Sequence, residues 1–202
     1  GRIGVLVAAE GATGDAVKEA LTNIAMQIAA MNPQYISRDE ISADELAKMK
    51  EITIDSALND PFSLPKPVLS KLIEKAVAGV WSAEDVAIYE EKKSNMNFLP
   101  NFLSKEAKAQ LAEIACADKE EISGNKIFSG LVEGRISKQM KEICLLDQGY
   151  VKAEDGKQTV AAYLKSVNPA LKIAKFVRFE VGEGMEKKNE DFAAEVAKQM
   201  NV

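Results

Sequence analysis

Ile3, Val5, Leu6 and Val7 follow one another with no charge between Arg2 and Glu10, the pattern of a strand buried on at least one face. Gly11-Ala12-Thr13-Gly14 turns the chain. Val17, Leu21, Ile24, Ile28 and Met31 then recur at alternating steps of four and three, the period of an amphipathic helix. Asn32-Pro33 stops that helix, because the residue before a proline is pushed out of the helical region. After the extended pair Tyr35-Ile36, Ser42 and Glu45 have the spacing of a capping box, so a second helix is expected from about Ala43 to Leu58.

From Asn59 to Gly124 the pattern breaks up. Pro61, Pro65, Pro67 and Pro100 divide this stretch into short helical pieces, expected at 68–78, 83–93 and 104–117, with Ser82 and Ser104 as N-caps. Trp81 fits best as a plug among these pieces, since a large indole is stabilised by burial when its N–H finds a partner. Over 124–144, Phe128, Leu131, Val132, Ile136, Met140 and Ile143 share one stripe. This helix can lie antiparallel to 43–58, giving a helical-hairpin arm with the insert 59–124 at its distal end.

Beyond the arm, Tyr150-Val151 is a short strand candidate, and Thr159 is placed to cap a helix through Tyr163, Leu164 and Val167 that Asn168-Pro169 closes. Phe176 to Val181 alternates as a half-buried strand, with Val177, Phe179 and Val181 on one face and Phe176, Arg178 and Glu180 on the other. A last helix is expected over Asp191–Met200, where Phe192, Val196 and Met200 share a side. The expected class is α+β: a small three-stranded antiparallel sheet with helices on one face, a projecting coiled-coil arm and a C-terminal helix. The matching division is 1–42 with 145–184 as core, 43–144 as arm and 185–202 as a C-terminal module.

Composition narrows the chemistry. The 202 residues carry 26 basic and 31 acidic side chains, a net charge of −5, which disfavours direct tracking of nucleic-acid phosphates. The absence of histidine removes Ser-His-Asp and Cys-His catalysis and His-ligated metals, so no metal or cofactor is expected. Cys116 and Cys144 form no Cys-x-x-Cys unit and are expected to be buried free thiols. No apolar run approaches the roughly 20 residues of a membrane span, and no leader pattern is present, so the cytoplasm is the expected compartment. The chain opens on Gly1 directly into a strand, which suggests a fragment with an upstream part.

Gly182-x-Gly184 lacks the lysine and the following helix of a phosphate cradle and reads as a turn. The pairs Asp39/Glu40, Glu84/Asp85, Glu90/Glu91 and Glu120/Glu121 are adjacent in sequence, so they do not converge on one atom and are expected on solvated faces. Lys92-Lys93 and the run Arg135, Lys138, Lys141 read the same way, the second run also being suited to an electrostatic contact on the arm. Binding must then rest on surfaces. Met31-Asn32-Pro33 and Gln148-Gly149-Tyr150-Val151 each set an apolar residue beside a chain reversal, where it either anchors a partner or closes the core.

Six blocks, taken in order, carry a resemblance. They are Gly1–Val7, Ile24–Pro33, Val132–Arg135, Lys141–Gln148, Phe176–Gly184 and Asp191–Val196. Together they closely resemble bacterial elongation factor Ts over about 1–58 and 125–200, and the strand and turn at 176–184 are the most specific. The resemblance implies a nucleotide exchange factor, not an enzyme in the bond-making sense. Its partner is elongation factor Tu, the GTPase that carries aminoacyl-tRNA. It implies contacts to that GTPase from Gln27, Ala30, Met31, Asn32 and Pro33, from Gln148, Tyr150 and Val151, and, toward its nucleotide domain, from Phe192 and Val196. The family's N-terminal helical domain and its Thr-Asp-Phe-Val segment do not occur in these 202 residues, the insert is longer than usual, and Gly149 replaces a usual proline. Binding with weak exchange is therefore expected. The alternative is a module whose arm pairs with a second copy of itself, in a mainly structural role.

Overall fold

The computed structural model describes residues 1–185, so the expected helix at 191–200 lies outside the described residues. The chain divides into two compact units, one formed by Gly1–Asn32 with the described residues from Ala162 onward, the other by Pro33–Ala161.

In the first unit, strand β1 (Ile3–Glu10) leads into helix α1 (Asp15–Met31), and strand β2 (Lys172–Glu180) returns antiparallel to β1. The register pairs Leu6 with Val177 and Val5 with Arg178, and Ala174 is the extra residue of a bulge opposite Ala8 and Ala9. Residues directly opposite in an antiparallel pair share a face. One face therefore carries Val5, Val7, Phe176 and Arg178, half-buried beneath α1; the other carries half-buried Val177 with Leu6 and Phe179, both exposed. The half-buried strand expected over 176–181 is present, but its all-apolar set is not the covered one. Phe179 is 59% and Val181 77% exposed, because α1 covers the arginine-bearing face.

The sheet has two strands among the described residues, not three. Tyr150-Val151 forms a turn, supported by a lone bridge between Gly149 and Thr159 and a hydrogen bond from Tyr150 N–H to the Gln158 carbonyl. At Gly11 the chain leaves β1 with φ +86°, and a Cβ there would stand 1.9 Å from the Ala170 carbonyl oxygen, so only glycine allows this approach.

The second unit is helical. Helix α2 (Ala43–Asn59) starts at the expected capping box, with Ser42 Oγ accepting from Glu45 N–H and the Glu45 carboxylate accepting from Ser42 N–H. Short helices α3 (Lys66–Gly79), α4 (Ala83–Lys92), α5 (Lys105–Ala117) and α6 (Lys119–Ser123) make the insert, and α7 (Lys126–Ile143) follows. Helix α2 packs on α5 and α7, so Ile54 and Leu58 of α2, Leu72 and Ile73 of α3, Leu111 of α5 and Phe128 and Val132 of α7 share one core. Trp81 is buried in it and donates Nε1–H to the Ala107 carbonyl at 2.9 Å, as its expected role requires. At the other end of α2, Tyr35 exchanges backbone hydrogen bonds with Ile143 and Leu145 and its hydroxyl reaches Glu45, so α2 and α7 run antiparallel. Helix α8 (Val160–Val167) begins directly after Thr159.

Two expectations about single residues fail. Cys144 is buried but Cys116 is exposed. Asp85, expected on a solvated face, is 6% exposed, because its carboxylate accepts from Ser104 N–H at 3.0 Å and from the hydroxyls of Ser82 and Ser104 at 2.9 Å each. It thereby ties the N-terminus of α4 to that of α5. Those bonds, the Ser104 N–H first, hold its carboxyl below the usual carboxylate range.

Candidate functional site

The structure divides the residues singled out from the sequence between the two units. In the first, the end of α1 is built by its own stop signal. Asn32 adopts the left-handed conformation, φ 46° and ψ 57°, and its N–H bonds to the Ile28 carbonyl, a C-cap that asparagine tolerates better than most residues. It is the one non-glycine residue with positive φ among the described residues. Proline next in line forbids continuation. The result is an exposed corner: Ala30 and Asn32 are exposed and Met31 is 46% exposed, whereas Gln27, Ile24 and Ile28, up to two turns back along the helix, are fully buried.

Helix α1 has no basic side chain in its last turn, although its carbonyls point there with a partial negative charge. Arg178 of β2 lies at this end. Its Nη2 donates to the Ala29 carbonyl at 3.4 Å and its Nη1 pairs with Glu180 at 2.9 Å, while its buried Nε has no hydrogen-bond partner among the described residues.

In the second unit, Pro33, Gln148 and Tyr150 are buried and Val151 is 51% exposed. Gln148 supports the loop from within, since its Nε2 donates to the Glu142 carbonyl at 2.7 Å and so satisfies an orphan acceptor in the last turn of α7. Its own backbone carbonyl accepts from Val160 N–H. The loop 148–160 is closed at its far end by Asp155, whose Oδ1 accepts from Lys157 and Gln158 N–H; these bonds lower its carboxyl below the usual range. Gly149 has no neighbour within 4 Å of where a Cβ would be, so the loop has room there for a larger residue.

Of the expected contact residues in the described part, Ala30, Met31, Asn32 and Val151 are thus surface groups. Gln27, Pro33, Gln148 and Tyr150 are buried. Phe192 and Val196 lie outside the described residues. Residue type alone hides this distinction, since a methionine and a glutamine on one helix read equally well as contact or core. Arg178 was missed as a neighbour of the helix end. The signal for it is weak: α1 ends on Asn-Pro with no cation in its last turn, a place where a cation from another element is stabilising.

Among the described residues no group of cysteine, aspartate and glutamate side chains is arranged to hold a metal ion, and no helix is long and apolar enough to cross a membrane.

Comparison with known sequences gives one consistent answer. The profile of the family described as elongation factor TS matches residues 1–183. Elongation factor Ts of Clostridioides difficile is 36% identical over 203 residues, covering 99% of this chain and 47% of the relative. That of Alkaliphilus metalliredigens is 35% identical over 207 residues, covering 99% and 68%. That of Finegoldia magna is 33% identical over 193 residues, covering 94% and 62%. The chain therefore spans from about half to two thirds of the length of these curated relatives, and with a family match running through both units it belongs to the elongation factor Ts family.

Proposed function

We propose that this chain acts in translation by binding elongation factor Tu and taking part in the replacement of its GDP by GTP, without itself making or breaking a covalent bond. The observation that carries the reading is the family match over residues 1–183. It is supported by the exposed, conformationally fixed end of α1, where Met31 and Asn32 stand clear of their own unit. In this reading Met31, Asn32 and Val151 anchor the GTPase, Ala30 allows close approach, and Gln27, Pro33, Gln148 and Tyr150 hold the anchors in shape. Phe192 and Val196 reach toward the nucleotide domain. Helices α2 and α7 are the family's hairpin arm, with the insert at its distal end, and the protein works in the cytoplasm.

Affinity and exchange are separable. A ligand shifts an equilibrium only by its differential affinity for the two states, so contacts remote from the nucleotide tighten binding without releasing it. The Thr-Asp-Phe-Val segment, which in the family resembled acts near the magnesium ion of the GTPase, does not occur in these 202 residues. Residues 1–202 are therefore expected to bind the GTPase at micromolar concentration or below in calorimetry, and to accelerate labelled-GDP release far less than an intact family member in a stopped-flow assay. Absence of binding overturns the reading. Stimulation equal to that of the intact factor overturns the division of labour.

A further inference from the structure

Helix α1 ends in a way that leaves the Ala29 carbonyl without a partner inside the helix. In a continuing helix the Ala29 carbonyl would accept from the N–H of residue 33, but residue 33 is proline and has none. The Asn32 N–H is already committed to Ile28. The last turn also lacks a basic side chain of its own to balance the partial negative charge of its carbonyls. Both deficits are met from another element. Arg178, opposite Val5 in the sheet, brings Nη2 to the Ala29 carbonyl at 3.4 Å, with its side chain only 11% exposed. Glu180, two residues along the same face, holds Nη1 at 2.9 Å and fixes the direction of the guanidinium.

From this geometry we infer that Arg178 is a positioning residue for the docking corner: from β2 it supplies the cation and the hydrogen bond that hold the last turn of α1, and so Ala30, Met31 and Asn32, in one orientation. The inference rests on the proposed reading of that corner as a GTPase contact. A buried guanidinium with an unpaired Nε is unfavourable in itself, so an apolar residue at 178 would suit the sheet. What such a residue cannot do is bond the Ala29 carbonyl or balance the helix end. Lysine retains the charge and one donor, though not the fork that reaches Glu180 and Ala29 together.

The test uses the 202-residue chain, its Arg178→Met and Arg178→Lys variants, and Met31→Ala as a probe of the corner itself. In Arg178→Met, amide exchange at Asn32 should rise about tenfold while amides in the middle of α1 and in the β1–β2 ladder keep their rates. Affinity for elongation factor Tu should fall by a similar factor, and Arg178→Lys should recover part of both losses. Unchanged exchange at Asn32 overturns the inference. So does exchange raised throughout the unit, which marks a merely structural residue. Met31→Ala separates the two claims. If wild type binds and Met31→Ala weakens binding while Arg178→Met does not, the docking corner stands and the role of Arg178 falls. If Met31→Ala leaves binding unchanged, the corner is not a contact and the inference falls with it, whereas the exchange arm still reports whether Arg178 holds the helix end.

Discussion

Replacing Asp85 by alanine probes the contact that most changed the picture of the insert. The carboxylate accepts three hydrogen bonds, from Ser104 N–H, Ser104 Oγ and Ser82 Oγ, in a side chain 6% exposed. Bonds to a charged acceptor contribute about 1.5–3 kcal/mol each, but the two hydroxyls can turn toward other acceptors or water. The Ser104 N–H cannot, so the net loss should be about 3 kcal/mol, a large share of the stability of a small helical unit. Asp85→Asn keeps an acceptor for that N–H while setting an amide donor against the hydroxyls, and should lose about 1–2 kcal/mol. Urea unfolding followed by tryptophan fluorescence reads both. Trp81 is the single tryptophan of the chain, directly precedes Ser82, and bonds to Ala107 three residues beyond Ser104. The pH dependence fixes the sign. A carboxyl held below its unfolded value of about 3.9 adds stability that is fully present above that value. It is lost as pH falls through the lower folded-state value. The gap between wild type and Asp85→Ala should thus be constant near neutrality and narrow in acid below about pH 4. A variant within about 0.5 kcal/mol of wild type at neutral pH, or a gap that does not narrow in acid, would refute the clamp.

Other consequences follow from single positions. Gly11→Ala should destabilise by about 3 kcal/mol or more in chemical denaturation, since its Cβ would meet the Ala170 carbonyl oxygen at 1.9 Å on backbone held at φ +86°. Gly4→Ala, where nothing lies within 4 Å, is the neutral control, and equal losses in both would remove the steric argument. Met31→Ala should weaken binding to elongation factor Tu by about 1–2 kcal/mol in calorimetry with the unfolding midpoint unchanged, because Met31 is 46% exposed. A maleimide should label exposed Cys116 within the native protein and reach Cys144 only on unfolding, since Cys144 is buried and burial pushes its thiol up; rapid double labelling contradicts that.

Features made within a turn or two of chain were legible in the sequence. Ser42 with Glu45, Ser82, and Ser104 each start a helix where spacing predicts, because a cap joins a side chain to backbone two or three residues away. Asn32-Pro33 stops α1 for an equally local reason, and the resemblance blocks identify the family with no geometry at all. Tertiary structure decided what depends on residues distant in sequence. Asp85 is buried because Ser104, 19 positions away, completes its coordination. The alternation of 176–181 fixes two faces but not which one α1 covers; that is set by a contact 149 residues long, between Arg178 and Ala29. The candidate site divides along the same line. Its location at the end of α1 was readable, but the separation of exposed Met31 and Val151 from buried Gln27, Gln148 and Tyr150 was not. A hydrogen-bond partner or a covering helix brought from far along the chain leaves no periodicity at the residue it buries, so only packing records it.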